Sequence, residues 1–168
     1  IADDSANPEY LAADLLSQAE HDPLACAILV TDSERVAKET AEEIEVQLAK
    51  LPRKEIAETS LAQAGKVILA KDMDTVIEMA NISAPEHMEI ITKAPFEVMT
   101  SIINAGAIFL GQYSPEPLGD YYAGPNHVLP TGGTAKFYSV LNVETFMKKT
   151  SIISYTAPAL YAAADDII

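Results

Sequence analysis

Only three histidines occur in the 168 residues, and each stands beside other groups able to hold a metal or move a proton. His21 ends the run Ser17-Gln18-Ala19-Glu20-His21, three residues after Gln18. On a helix that spacing puts both side chains on one face, where they could converge on one ion or ligand. Zinc accepts imidazole nitrogen and carboxylate oxygen, with three protein ligands plus substrate in a catalytic site. Glutamine is an uncommon ligand, and a histidine at a helix end also serves by bonding the last carbonyls or water. Glu86-His87, in Ser83-Ala84-Pro85-Glu86-His87-Met88-Glu89, sets a carboxylate beside an imidazole. Imidazole titrates near working pH and is the usual general base, and a carboxylate can activate water. The other reading is a surface Glu-His pair, since neighbours in extended chain point to opposite sides.

Asp120 and His127 lie in the stretch Gln112 to Lys136, QYSPEPLGDYYAGPNHVLPTGGTAK, which holds four of the seven glycines and four of the ten prolines. Proline removes a backbone donor and glycine is entropically costly in regular structure, so the stretch reads as a long loop with no helix or central strand. Its tyrosines, leucines and valine, with few charges, are not the composition of a solvated tail. Long loops in compact proteins are commonly functional, and an ordered, site-forming loop is expected. Asp120 could instead bond its own backbone in an Asx turn, and His127 could either tie the loop or reach a substrate. Gly132-Gly133-Thr134 resembles a phosphate-cradling turn only loosely, and no GxGxxG or Walker lysine pattern is present.

The elements that must carry these groups alternate. Asn7-Pro8 starts a helix that runs from about 8 to 21, with Leu11, Leu15 and Leu16 at helical spacing and Pro23 as the stop. Ala25 to Thr31 reads as a buried strand. Asp32-Ser33 caps a helix to about Leu51 whose inward stripe is Val36, Thr40, Ile44, Leu48 and Leu51. Pro52 to Ala64 is expected to be helical, Lys66 to Ala70 a strand, Asp72 to Asn81 a helix, Glu89 to Thr92 a strand, Pro95 to Asn104 a helix and Gly106 to Leu110 a strand. Beyond the loop, Val143 to Lys149 reads as helix, Ser151 to Tyr155 as strand and Ala157 to Ala164 as helix. Short apolar strands alternating with helices imply an α/β fold, three layers deep, with a mostly parallel, Rossmann-like sheet. Residues 1–140 would form the α/β domain with the site, and 141–168 a C-terminal helix-strand-helix segment. In such sheets ligands gather at the carboxyl ends of the strands, where the loop after Leu110 and the turn before Glu89 are expected to meet.

With 25 acidic against 11 basic residues the formal charge is -14. Phosphate backbones are bound through lysine and arginine clusters, so nucleic acid is excluded as a partner. No apolar run reaches the ~20 residues of a membrane span. The one cysteine, Cys26, lies in the apolar run CAILV, which reads as a buried thiol in a reducing compartment and excludes an intrachain disulfide. The chain starts at Ile1 without an initiator methionine, as a processed or partial chain would.

Three runs, AADLLSQAEH (12–21), APEHMEI (84–90) and GDYYAGPNHVLPTGGTA (119–135), closely resemble histidinol dehydrogenase. The last is long and highly specific. The resemblance covers essentially the whole chain, while the chain matches only a later portion of the family, without its first half and extreme C-terminus. It implies a cytoplasmic zinc enzyme that oxidises L-histidinol through L-histidinal to L-histidine with two NAD, as the last steps of histidine biosynthesis. By motif, Gln18, His21 and Asp120 match metal ligands. Glu86 and His87 match the acid/base pair, with His87 taking the alcohol proton and Glu86 activating water for the aldehyde. Gln18, His21, His87, Asp120 and His127 match residues at the substrate. In this family the zinc holds substrate and does not change redox state, and a fourth ligand, a histidine near the C-terminus, comes across a homodimer. No histidine follows His127, and the family's NAD contacts belong largely to its first half. The isolated 168 residues are therefore expected to bind zinc weakly and not to turn over. A catalytically silent α/β ligand-binding or assembly module, and a metal-dependent hydrolase using Glu86 as base, are the alternatives.

Overall fold

The computed structural model describes all residues, 1–168. Its chain order is α1 (Pro8–Ala19), β1 (Ile28–Thr31), α2 (Glu34–Leu48), α3 (Lys54–Ala64), β2 (Lys66–Leu69), α4 (Met73–Ser83), β3 (His87–Ile90), α5 (Pro95–Met99) and β4 (Ala107–Leu110). A single turn, α6 (Glu116–Leu118), follows, and two short helices, α7 (Ala157–Ala162) and α8 (Ala164–Ile167), end the chain.

β1 pairs with β2 and β3 with β4, both in parallel. The two ladders are joined by a segment for which the sequence reading assigns no strand. Ala2 bridges in parallel to Thr31 on one side and Ile91 on the other. Its N–H donates to the Val30 carbonyl at 3.1 Å, and the Ile91 N–H donates to the Ile1 carbonyl at 2.9 Å. The spatial order is thus β2, β1, residues 1–3, β3, β4, and in chain order of these five segments that is 3-2-1-4-5, the doubly wound arrangement. The α/β reading holds, with this segment as its unforeseen middle.

Caps follow local chemistry. The Asn7, Ser33 and Asp72 side chains accept from Glu9, Val36 and Thr75 N–H groups, satisfying donors that a helix start leaves free. Ala2, Ala6, Leu11, Leu29, Val36 and Ile91 form one core cluster, and Leu16, Ala19, Leu48 and Ala57 continue it between α1, α2 and α3. Met88 and Ile90 pack instead with Ala80 of α4 and with Val98 and Met99 around α5. Because strand side chains alternate, His87 and Glu89 face the α1 layer. That alternation aims the chemistry of β3.

Several expectations are corrected. Glu116 to Ala123 is helical, one α turn followed by a π turn over Gly119–Ala123, although the stretch reads as unable to hold a helix. Pro117 sits in the first turn, where a missing N–H costs nothing, so proline permits the start it was taken to forbid. β3 starts two residues early, which brings His87 into the strand. Ser151 to Tyr155 is exposed extended chain without a strand partner, and Val143–Phe146 makes only a 3-10 turn. Apolar, β-prone residues need a neighbouring edge to become a strand, and none lies beside them. Cys26 is exposed, its thiol donating to the Ala64 carbonyl at 3.4 Å, because β1 starts only at Ile28 and leaves the head of the apolar run outside the sheet.

Candidate functional site

The site is built around the first residue of β3. Helix α4 stops at Ala84, a fully buried residue in the left-handed region at φ 46°, and Pro85 turns the chain into the strand. The Pro85 and Glu86 carbonyls accept from the Gly106 and Ala107 N–H groups at 3.0 and 2.9 Å. Gly106 lies against this entry so tightly that a Cβ on it would stand 2.5 Å from the Glu86 carbonyl oxygen. The His87 ring lies 5.9 Å from that of Phe109, and Phe109 in turn fills the space where a Cβ on Gly119 would be, 2.4 Å away. Asp120 follows Gly119, so this stack of contacts fixes it against His87.

His87 Nε2 stands 3.6 Å from Asp120 Oδ1, with side-chain exposures of 12% and 20%. That nitrogen is buried and has no hydrogen-bond partner, a costly state unless something binds there. Glu116 joins the pair: one ligand atom from each of His87, Glu116 and Asp120 lies within 4.8 Å of the others. Burial raises the Glu116 carboxyl above its usual range; the charge of His87 opposes this, the Asp120 carboxyl adds to it and the Gln18 amide lowers it. Behind it, the Glu116 N–H donates to Glu89 Oε1 at 3.1 Å. Burial, reinforced by the Asp14 carboxyl, pushes Glu89 up to about 8, and burial raises Asp14 as well. An orphaned imidazole nitrogen and converging carboxylates form an N/O donor set that suits a divalent cation such as zinc.

A cleft of about 670 Å³ opens over these groups, lined among others by Gln18, His21, Glu86, His87, Glu116 and Gly133. It takes in the residues that enter β1 and β3, Ala27 and Glu86, and runs along both strands to Val30 and Glu89, so its mouth lies toward the amino ends of the strands. The expectation of a site at the carboxyl ends is therefore overturned. The loop does leave β4 at its carboxyl end, but it doubles back, crosses β3 at Glu89 and brings Pro130 against Gly106 at the opposite end. At the carboxyl ends a second cleft of about 620 Å³ is lined by Asp3, Asp4, Ser5, Asp32, Ser33 and Lys93. Three carboxylates and a glycine-free first turn do not fit the pyrophosphate of NAD, which binds backbone N–H groups at a glycine-rich helix start.

The structure thus brings Glu86, His87 and Gln18 to one cleft, and sets Asp120 against His87 and Glu116, which line it. His21 lines the same cleft but is exposed and stands outside the three-residue cluster, and His127 is exposed and lines no part of it. Sequence reasoning missed Asp14, Glu89 and Glu116. A signal existed for the first two: Asp14 lies one turn before Gln18 on α1, which ends at Ala19 and leaves His21 in the following turn, and Glu89 is a carboxylate inside an apolar strand. Glu116 is masked by its flanking prolines.

A doubly wound α/β sheet with an N/O-ligand cleft toward the amino ends of its strands defines an α/β protein with a candidate metal site. The family model for histidinol dehydrogenase matches residues 1–168, so this chain belongs to the histidinol dehydrogenase family, a family of oxidoreductases. Histidinol dehydrogenase of Heliobacterium mobile is 59% identical over 168 residues, and that of Caldanaerobacter subterraneus 54%. In each case all of this chain is covered but only 39% of the relative, so the chain spans about two fifths of their length. The crystal structure of histidinol dehydrogenase from Elizabethkingia anophelis superposes with a TM-score of 0.85 at 39% identity, over 99% of this chain and 38% of that one.

Proposed function

We propose that this chain is the metal- and substrate-holding part of a zinc-dependent histidinol dehydrogenase, which oxidises L-histidinol through L-histidinal to L-histidine with two NAD. The observation that carries the reading is the buried, partnerless His87 Nε2, aimed at two carboxylates in a cleft that also holds Gln18, His21 and Glu86. Gln18, His21 and Asp120 would hold the cation. Bound there, zinc would supply a fixed positive charge that anchors the imidazole and amine of the substrate without changing redox state. Together with His87 and His127 these three residues would contact substrate.

His87 would then take the proton of the substrate hydroxyl at Nε2 while the hydride from the same carbon passes to the first NAD, giving the aldehyde. In the second oxidation Glu86 would take a proton from the water that attacks the aldehyde, and the resulting hydrate would give its hydride to the second NAD and a hydroxyl proton to a base, leaving the acid. On this reading the chain contributes cation binding, proton handling and substrate orientation. A cytoplasmic homodimer of the full-length enzyme is the assembly this reading calls for.

The test is histidinol-dependent reduction of NAD by the full-length enzyme and by the isolated 168 residues. Zinc-dependent turnover by the first and none by the second is expected. Alanine substitutions at Gln18 and Asp120 that leave zinc content and rate untouched would overturn the reading.

A further inference from the structure

The Nε2 of His87 has no hydrogen-bond partner, and the last side-chain torsion of a histidine is broad, so packing has to hold the ring in its plane. In the parallel ladder His87 pairs with Ala107 and Glu89 with Phe109, which makes Phe109 the diagonal neighbour of His87 on the same face of the sheet. The two ring centroids stand 5.9 Å apart with their planes tilted by 43°, within the usual range of an aromatic pair. The same Phe109 ring fits a notch at Gly119, where a Cβ would fall on Cε1 and lie 2.8 Å from Cζ. Gly119 has φ -65° and ψ -50°, angles that any residue adopts, so its bare Cα serves the close approach alone. Phe109 lines no part of the cleft and so meets no substrate there.

We infer that Phe109, seated against Gly119, is a positioning residue that fixes the plane of the His87 ring and its distance from Asp120. The inference deepens the function proposed above and rests on His87 serving as the base. Asp120 directly follows Gly119, and its Oδ1 stands 3.6 Å from His87 Nε2. One side chain on β4 thus packs against both the strand that carries the base and the turn that carries the carboxylate. A smaller side chain at 109 frees the imidazole to swing, and a methyl at 119 drives either the ring or the turn away. Proton transfer tolerates little of this, since a misplacement of about 1 Å is enough to slow a reaction about 10²-fold.

The experiment compares kcat, KM for L-histidinol and zinc content in the full-length enzyme carrying this chain, for the unaltered protein, Phe109→Leu, His87→Asn and the double variant. Phe109→Leu is expected to lower kcat by about 10- to 100-fold, with KM and zinc content within about threefold of the unaltered protein. In the His87→Asn background the same change is expected to cost no more than about threefold, because the group through which Phe109 acts is already gone. Gly119→Ala is expected to lower kcat likewise, and to cost no more than about threefold once Phe109→Leu has removed the Cε1 and Cζ atoms that its methyl would strike. Phe109→Met, which keeps an apolar side chain without the flat ring, serves if Phe109→Leu does not fold. A kcat within about threefold of the unaltered protein, a loss that multiplies in full with that of His87→Asn, or zinc lost together with activity would each overturn the inference. Turnover indifferent to His87→Asn alone would instead sink the assignment of the base, a result distinct from the failure of Phe109.

Discussion

His87 and Asp120 meet at 3.6 Å although one begins a strand and the other lies in a π turn beyond the next strand, and Phe109 packs beside both the His87 ring and Gly119, the residue before Asp120. Replacing His87 by Asn keeps a polar side chain but removes the base. In the full-length enzyme, turnover is expected to fall by roughly 10²-fold or more with zinc still bound. Steady-state kinetics paired with metal analysis checks this, and zinc lost together with activity would make His87 a ligand.

Gly106→Ala tests the strand entry. The added methyl would meet the Glu86 carbonyl oxygen at 2.5 Å and the Pro130 ring at 3.2 Å, and both neighbours are backbone or ring atoms with little room to yield. Overpacking of this kind costs about 1–3 kcal/mol. The midpoint of urea denaturation is expected to fall accordingly.

Thr40 is fully buried and its hydroxyl has no partner. A buried donor left unmade carries its desolvation cost, so Thr40→Val, which keeps the shape, is expected to raise stability by about 1 kcal/mol. A calorimetric melt lower than that of the unaltered chain would contradict it.

Stability should also depend on Glu89. Its folded value of about 8 lies above the ordinary 4.5, so the native state holds a proton that the unfolded chain releases. The contribution is whole below about 4.5 and is lost as pH rises toward 8. Asp14, also raised, acts in the same sense, while the buried Ile1 ammonium, lowered to about 6, acts oppositely between 6 and 8. Between pH 4.5 and 6 the carboxyls therefore dominate, and stability is expected to decline there. Glu89→Gln, which imitates the protonated acid, should flatten that slope in denaturation series at stepped pH; an unchanged slope would exonerate Glu89.

Much of the fold was legible because it is written in local terms. The caps at Asn7, Ser33 and Asp72 and the stripe from Val36 to Leu48 need only neighbouring residues to be read. The Glu86-His87 pair and Asp120 were visible through their motifs. What escaped depends on distant closure. Ala2 is a strand residue only because Thr31 and Ile91 flank it, and Glu116 becomes buried only because the loop doubles back across Glu89. Prolines at 115 and 117 argued for irregular chain, yet at a first turn they are compatible with helix. The choice of strand end was misjudged because that rule concerns where loops leave a sheet, and this loop travels the length of the sheet before it settles.

The middle stave of the sheet consists of the earliest residues described, and they wait for partners far downstream. The bond from the Ile1 nitrogen to the Glu89 carbonyl spans 88 positions. On a ribosome moving at about 5–20 residues per second, the first residues would emerge roughly 4–18 s before the strand that completes their pairing. During that interval residues 1–3, once docked on β1, have an open flank on the side where Ile91 will pair. Sheet continuity is thus a late event in the life of the nascent chain, and protection of that flank, by a chaperone or by the preceding polypeptide, becomes a condition of productive folding.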